Sequence, residues 1–186
     1  IKNRTISIGD TDFFPEHLIT EKLDKFFLKN NDVLIAMTGQ GSVGRVGKIR
    51  IKKNQKILLN QRVGKFITDE KNLHLEYLYQ IISSKNYEQI LFDTGTGSGQ
   101  PNLSPELIAS VKIPFPVIEI QRKIAKILGT IDELIWKNMQ INRKLEFMIS
   151  LIFKSWFIDF DGQKDFVDSE LGKIPIGWKI GNLNHI

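Results

Sequence analysis

VIEIQRKIAKILGTIDELIWKNMQINRKLEFMISLIFKSWF, residues 117–157, is the stretch that decides how this chain is built. With Val117 at heptad position a, the a sites are Val117, Ile124, Ile131, Asn138, Leu145 and Ile152. The d sites are Ile120, Ile127, Leu134, Ile141, Met148 and Ser155. Ten of these twelve are apolar, and the seam holds for five heptads, which predicts one long coiled-coil-forming helix. No Pro interrupts it after Pro116, and Gly129 falls at an f site, opposite the seam. Asn138 is the lone polar residue well inside the seam, where an amide fixes register and orientation at a cost in stability. Leu128, Ile135 and Ile149 at e sites widen the stripe, so packing on more than one neighbour is expected. At about 1.5 Å per residue, residues 119–157 span roughly 58 Å, more than a compact domain of this size needs. A core helix of a bundle is the plainer reading. A spacer that pairs with a second, similar helix through Ile124, Ile127, Ile131, Leu134, Asn138, Ile141 and Leu145 accounts better for the length.

Composition bounds the rest. A chain of 186 residues, 41% hydrophobic, is long enough for one ordinary domain and an appendage. No run approaches the ~18 apolar residues of a membrane span, so no membrane partner is expected. With Cys absent there is no disulfide framework and no thiolate chemistry, which suits a reducing cytoplasm. There is no secretory signal at the start, and Ile1 in place of an initiator Met leads us to expect a fragment or a missing native beginning. Charge is unevenly placed. Residues 1–116 carry net +4, 117–157 net +3 and 158–186 net −2. Between Val33 and Thr68 there is no acid but eight cations: Arg45, Lys48, Arg50, Lys52, Lys53, Lys56, Arg62 and Lys65. A block so one-sided points to a polyanion; the competing reading is a solvated, Lys-rich edge hairpin.

Residues 1–116 read as strands and loops with few helices, giving an α+β chain with a β-rich first domain and short helices. Strands are expected at 32–37, 46–53, 57–59, 63–67 and 111–115, from apolar runs and alternation. A helix is expected over 74–84, with Leu75, Leu78, Tyr79 and Ile82 on one face. Glycine-rich loops occupy 38–44 and 94–100, and Ser104 caps a short turn with Pro105 at its first position. The glycine loop Gly39-Gln40-Gly41-Ser42-Val43-Gly44 matches GxGxxG. A strand is expected next instead of the helix whose N-terminus would face a pyrophosphate, so nucleotide binding is rejected. A Walker A loop fails because Arg45-Val46 stands where Lys and Ser or Thr are required. Such a loop can still let a nucleic-acid backbone come close. Asp159, Asp161, Asp165, Asp168 and Glu170 lack calcium-loop spacing, and His17, His74 and His185 are too scattered for a metal. No nucleophile stands beside an evident base, so no catalytic centre, cofactor or metal is expected.

Taken in order, several pieces resemble the specificity subunit of type I restriction–modification systems. These are Asp32-Val33-Leu34-Ile35-Ala36-Met37-Thr38-Gly39, Leu59-Asn60-Gln61-Arg62-Val63-Gly64 and Gly97-Ser98-Gly99-Gln100-Pro101-Asn102-Leu103-Ser104. Then come Ile113-Pro114-Phe115-Pro116 leading into Glu119-Ile120-Gln121-Arg122-Lys123-Ile124-Ala125, and Ser155-Trp156-Phe157-Ile158-Asp159-Phe160. Where the family commonly has Pro-Pro and an adjoining Glu-Gln, this chain has Pro116-Val117 and Glu119-Ile120-Gln121. In the tail, Asp168-Ser169-Glu170-Leu171-Gly172-Lys173-Ile174-Pro175-Ile176-Gly177-Trp178 resembles the opening of a target recognition domain. The resemblance implies a DNA target recognition domain over 1–116 without its opening segment, a spacer helix over 117–157, and over 158–186 a linker with the start of a following or exchanged recognition segment.

The resemblance further implies a non-catalytic reader of one half of a split DNA site. Its helices pair antiparallel, in a homodimer or with a second internal repeat, and dock methyltransferase subunits and through them restriction subunits. A rod of roughly 58 Å exceeds one turn of B-DNA, about 34–36 Å, so domains near its ends could address separated half-sites. The expected phosphate contacts are Arg45, Lys48, Arg50 and Arg62. Gln40 and Ser42 in the first glycine loop, and Thr96, Ser98 and Gln100 in the second, could reach base edges. Asn60-Gln61-Arg62 reads as framework or backbone contact. Ser169 to Leu183 is expected to pack on a partner's recognition domain, with Ile174 and Trp178 buried. The leading alternative is a coiled-coil oligomerisation protein whose basic domain binds RNA or another polyanion.

Overall fold

Val33-Leu34-Ile35-Ala36 forms strand β2 (Val33–Ala36), and all four residues are buried. An apolar run without alternation suits a strand covered on both faces, and β2 lies inside a four-stranded sheet of order β1-β3-β2-β4. Here β1 is Arg4–Thr5, β3 Val46–Lys48 and β4 Val63–Lys65. Strand β2 is antiparallel to both neighbours, with Leu34 opposite Gly47 and Ile35 opposite Gly64, while β1 is parallel to β3. The computed structural model describes residues 1–186 except Asn3, Asp10, 97–100 and Ile186. It falls into two compact units, Ile1–Ile131 and Asp132–Ile186.

In the first unit, helices α1 (Leu75–Ile82), α2 (Lys85–Gly95) and α3 (Pro105–Ser110) accompany the sheet. Leu78, Tyr79 and Ile82 of α1 join Val33, Ile35, Val43, Val46, Leu91 and Leu103 in the core, each apolar side chain contributing about 1.5–3 kcal/mol by burial. The first glycine loop is pressed onto α2. Gly44 has φ +80°, and a Cβ there would lie 2.9 Å from the Phe92 backbone nitrogen, so only glycine fits.

Several expected elements are corrected. Residues 111–115 form no strand; Pro114 and Pro116 cannot donate to a ladder, and the segment is held by Tyr87 and Tyr77 hydroxyls donating to the carbonyls of Lys112 and Pro114. The strand expected over 46–53 ends at Lys48, and 57–59 makes only an isolated bridge, Phe27 to Leu58. Helix α2 was not expected: it buries only Leu91 and Gly95, too little apolar periodicity to show in sequence. Its start is capped by Ser84, whose side chain accepts from the Tyr87 amide. The turn at Ser104 lengthens into α3, with Pro105 at the first position as expected.

Helix α4 (Ile118–Phe157) runs 40 residues without a break. Its early turns belong to the first unit and its later turns to the second. In the second unit the helix ends at Phe157, and the chain turns at Phe160, which has φ +53°. A hairpin of β5 (Phe166–Ser169) and β6 (Gly172–Pro175) follows. Trp178 packs edge-on to Phe160, ring centres 5.4 Å apart, and 6.1 Å from Phe157. In the single chain Trp178 is 45% exposed. Ile174 is half-buried, while Pro175 is buried.

Candidate nucleic-acid interface

Folding neutralises part of the acid-free block with acids from outside it. Arg45 Nε meets Glu88 of α2 at 3.0 Å, and Lys65 meets Asp32 at 2.9 Å. Lys48 donates to Glu76 of α1 and sits 4.4 Å from the Tyr79 ring centre, with only 10% of its side chain exposed. Lys48 therefore ties β3 to α1, and drawing it out toward a phosphate would leave Glu76 without its ion-pair partner. Arg45 keeps about a third of its surface, 37%, beside an open depression lined also by Gly41, Lys85 and Glu88.

The other cations divide between the two ends of the sheet. At the end where β2 begins, two polar turns lie side by side. The Asn31 amide donates to the Ile49 carbonyl, the Ile51 amide to the Asn30 side chain, and the Leu28 amide to the Ile57 carbonyl. Arg50 donates to the Asn31 side chain at 2.7 Å. The second turn is closed by paired bonds between Lys52 and Gln55. Lys29, Lys52, Lys53 and Lys56 are all exposed on these turns, and no acid pairs with any of the four among the described residues. Among the described residues this end carries the denser group of exposed cations without an acid partner.

At the other end of β2 the first glycine loop, the 60–62 turn and the described residues 95, 96, 102 and 103 gather. The Met37 amide donates to the Arg62 carbonyl at 2.9 Å, Leu103 donates to the Met37 carbonyl at 2.7 Å, and Thr38 bridges to Asn102. Asn102 in turn donates to the Gly95 carbonyl at the end of α2. Gln40, Ser42, Arg62 and Thr96 therefore share this end. Ser42 and Thr96 turn their hydroxyls inward, to the carbonyls of Thr38 and Gly39 and of Asp93 respectively, which leaves them only acceptor capacity toward a base. Gln40 and Arg62 are exposed, with no side-chain bond among the described residues. Ser98 and Gln100 lie outside the described residues. From Asn31 to Thr38 the chain advances roughly 23 Å at ~3.3 Å per residue. Arg50 is thus well removed from Gln40 and Arg62, and the expected contacts do not form one face.

The helical seam has a different status on each side. Ile124 is half-buried, whereas Ile127, Ile131, Leu134, Ile141 and Leu145 are 48–64% exposed and Asn138 is exposed. The buried face lies beside the seam: Gln121, at an e site, is 0% exposed and Ala125, at a b site, 2%. Gln121 at this position carried no functional reading in the sequence; nor did Glu76 and Glu88, because ion pairing across elements leaves no local signature. Burial pushes the Tyr77 phenol above its ordinary pKa, aided by Tyr87 nearby, so it remains a donor to Pro114. Among the described residues no helix is long and apolar enough to cross a membrane, and no cluster of acids and histidines could hold a metal.

Comparison with known proteins matches residues 5–146 to the type I restriction modification DNA specificity domain. The MjaIX specificity subunit of Methanocaldococcus jannaschii is 37% identical over 145 residues, which is 76% of this chain and 33% of that protein. The MjaVIII specificity subunit of the same organism is 31% identical over 172 residues, 90% of this chain and 37% of that protein. The HindI specificity subunit of Haemophilus influenzae is 32% identical over 103 residues, 52% of this chain and 22% of that protein. The chain spans about a third or less of the length of these relatives.

Proposed function

The chain belongs to the family of type I restriction modification DNA specificity domains, and from that premise we propose that it reads one half of a split DNA site for a methyltransferase and endonuclease complex. It does no bond-breaking itself, takes no cofactor and works in the cytoplasm. Its partners are duplex DNA, methyltransferase subunits docked on α4, and restriction subunits reached through them. The observation that carries the DNA contact is the pair of polar turns on which Lys29, Lys52, Lys53 and Lys56 are exposed and unpaired with any acid among the described residues, the one acid of the first turn, Asp32, being taken up by Lys65 and by the Lys29 amide. Phosphates there would fix register without sequence preference, while Gln40, Arg62 and the outer face of the first glycine loop address bases.

The exposed seam of α4 supports pairing with a second copy or a second repeat, since an apolar stripe this long is far above what an isolated surface carries. Aligning Ile131 antiparallel with Ile141 of a second copy sets Ile124 against Met148, Ile127 against Leu145 and Ile120 against Ile152. Every a site then meets a d site, and Asn138 faces Leu134. The exposed Leu171, Ile176 and Leu183 of the tail fit a segment completed by a partner's recognition domain. Methylation mapping of a host genome with and without the gene tests the function. One bipartite adenine-methylation motif should vanish with the gene; an unchanged methylation pattern would overturn the reading, and equal affinity for RNA would favour a general polyanion binder.

A further inference from the structure

Gln121 lies in the first turn of α4 and is fully buried, one of two buried polar side chains among the described residues. Its Oε1 accepts from the His74 amide at 3.0 Å, and its Nε2 donates to the carbonyls of Asn72 at 2.9 Å and Pro116 at 2.8 Å. Both amide hydrogens and the oxygen are thus engaged, by backbone from the turn before α1, from the residue that opens α1, and from the strap that enters α4. One turn on, Ala125 is 2% exposed. A further turn on, a Cβ at Gly129 would lie 3.4 Å from Glu76 Oε1. Residues four apart share a helix face, so Gln121, Ala125 and Gly129, at e, b and f sites, form one row that starts beside the a and d seam and drifts behind it. Small residues permit close approach but set no direction; the amide sets it. Nearby, Arg122 donates to the Glu70 carbonyl at 3.3 Å.

We propose that Gln121 is a positioning residue: it fixes the direction in which α4 leaves the recognition sheet, and through that the spacing of DNA half-sites the complex prefers. The inference rests on the split-site reading above. Leverage makes the joint matter. From Gln121 to Ile131, the last residue of the first unit, the helix advances about 15 Å at ~1.5 Å per residue. A tilt of about 15° at the joint therefore moves the exposed seam residue Ile131 by about 4 Å, more than the ~3.4 Å rise of one base pair. Directional hydrogen bonds resist such a tilt, whereas apolar contacts tolerate sliding.

The test measures binding of the full chain to duplexes carrying two half-sites at successive spacings, and to a duplex carrying one half-site. In Gln121→Leu, half-site affinity should stay within about twofold. The preference for the best spacing over one base pair more or less, about tenfold in the parent if worth ~1.4 kcal/mol, should fall to about twofold. Should Gln121→Leu not fold, Ala125→Leu decides the matter: leucine keeps good helix propensity, and its added volume at a site only 2% exposed must push α4 off its seat, so the best spacing should shift or broaden. A folded variant with the parent's spacing profile, even at lower affinity throughout, overturns the positioning role alone. A parent with half-site binding but no spacing preference overturns the split-site reading and the proposal together.

Discussion

Replacing Lys29, Lys52, Lys53 and Lys56 together by Gln should flatten the salt dependence of DNA binding, and the structure sets by how much. Each phosphate neutralised contributes about −0.9 to the slope of log affinity against log salt. These four lysines are exposed on adjoining turns, and no acid pairs with any of them among the described residues, so each domain should lose about 3.6 of slope when they go. Between 50 and 200 mM salt that amounts to about 150-fold of the parent's loss of affinity. Removing them should weaken matched and mismatched duplexes alike, because phosphates carry no sequence. Lys48→Gln is the internal contrast. Its ammonium faces Glu76 and Tyr79 inside the fold, so the slope should not change, while stability should drop by about 1–3 kcal/mol as Glu76 loses its charged partner. Fluorescence anisotropy with a labelled duplex across the salt range gives the slopes, and urea unfolding gives the stability. An unchanged slope in the fourfold variant would refute the basic turns as the phosphate surface. A slope change of about 1 in Lys48→Gln would refute its assignment to the interior.

Leu134→Asp puts a charge in the middle of the exposed seam and should leave a monomer by sedimentation where the parent is a dimer; a parent already monomeric refutes self-pairing. Asn138→Leu should raise the thermal midpoint while allowing a mixture of helix registers or orientations, visible by disulfide trapping or crosslinking, since an amide in a seam specifies at a cost. A loss above ~1 kcal/mol there would instead place Asn138 in a satisfied polar network. Gly44→Ala should cost about 2–4 kcal/mol, because positive φ and the close Phe92 backbone compound; a change under ~0.5 kcal/mol in chemical denaturation would mean the loop does not bear on α2 as described.

The long helix, the α1 face and the inner strand β2 were legible because each carries its period in neighbouring residues: heptads over 117–157, the Leu75, Leu78, Tyr79, Ile82 spacing, and an unbroken apolar run at Val33-Leu34-Ile35-Ala36. Family resemblance was legible too, being a matter of motif order. Which cations remain available to a partner was not. Arg45, Lys48 and Lys65 stand in the same acid-free block as Lys52, Lys53 and Lys56, yet their partners Glu88, Glu76 and Asp32 lie across elements, on α2, on α1 and beside β2. Nor could spacing separate Arg50 from Arg62, which pairing sends to opposite ends of the sheet, or reveal that Gln121 holds three backbone groups from separate segments. Periodicity is a local property written along the chain. The fate of a charge or a buried amide depends on which distant segments the tertiary fold brings within hydrogen-bonding reach, and only the packed structure decides that.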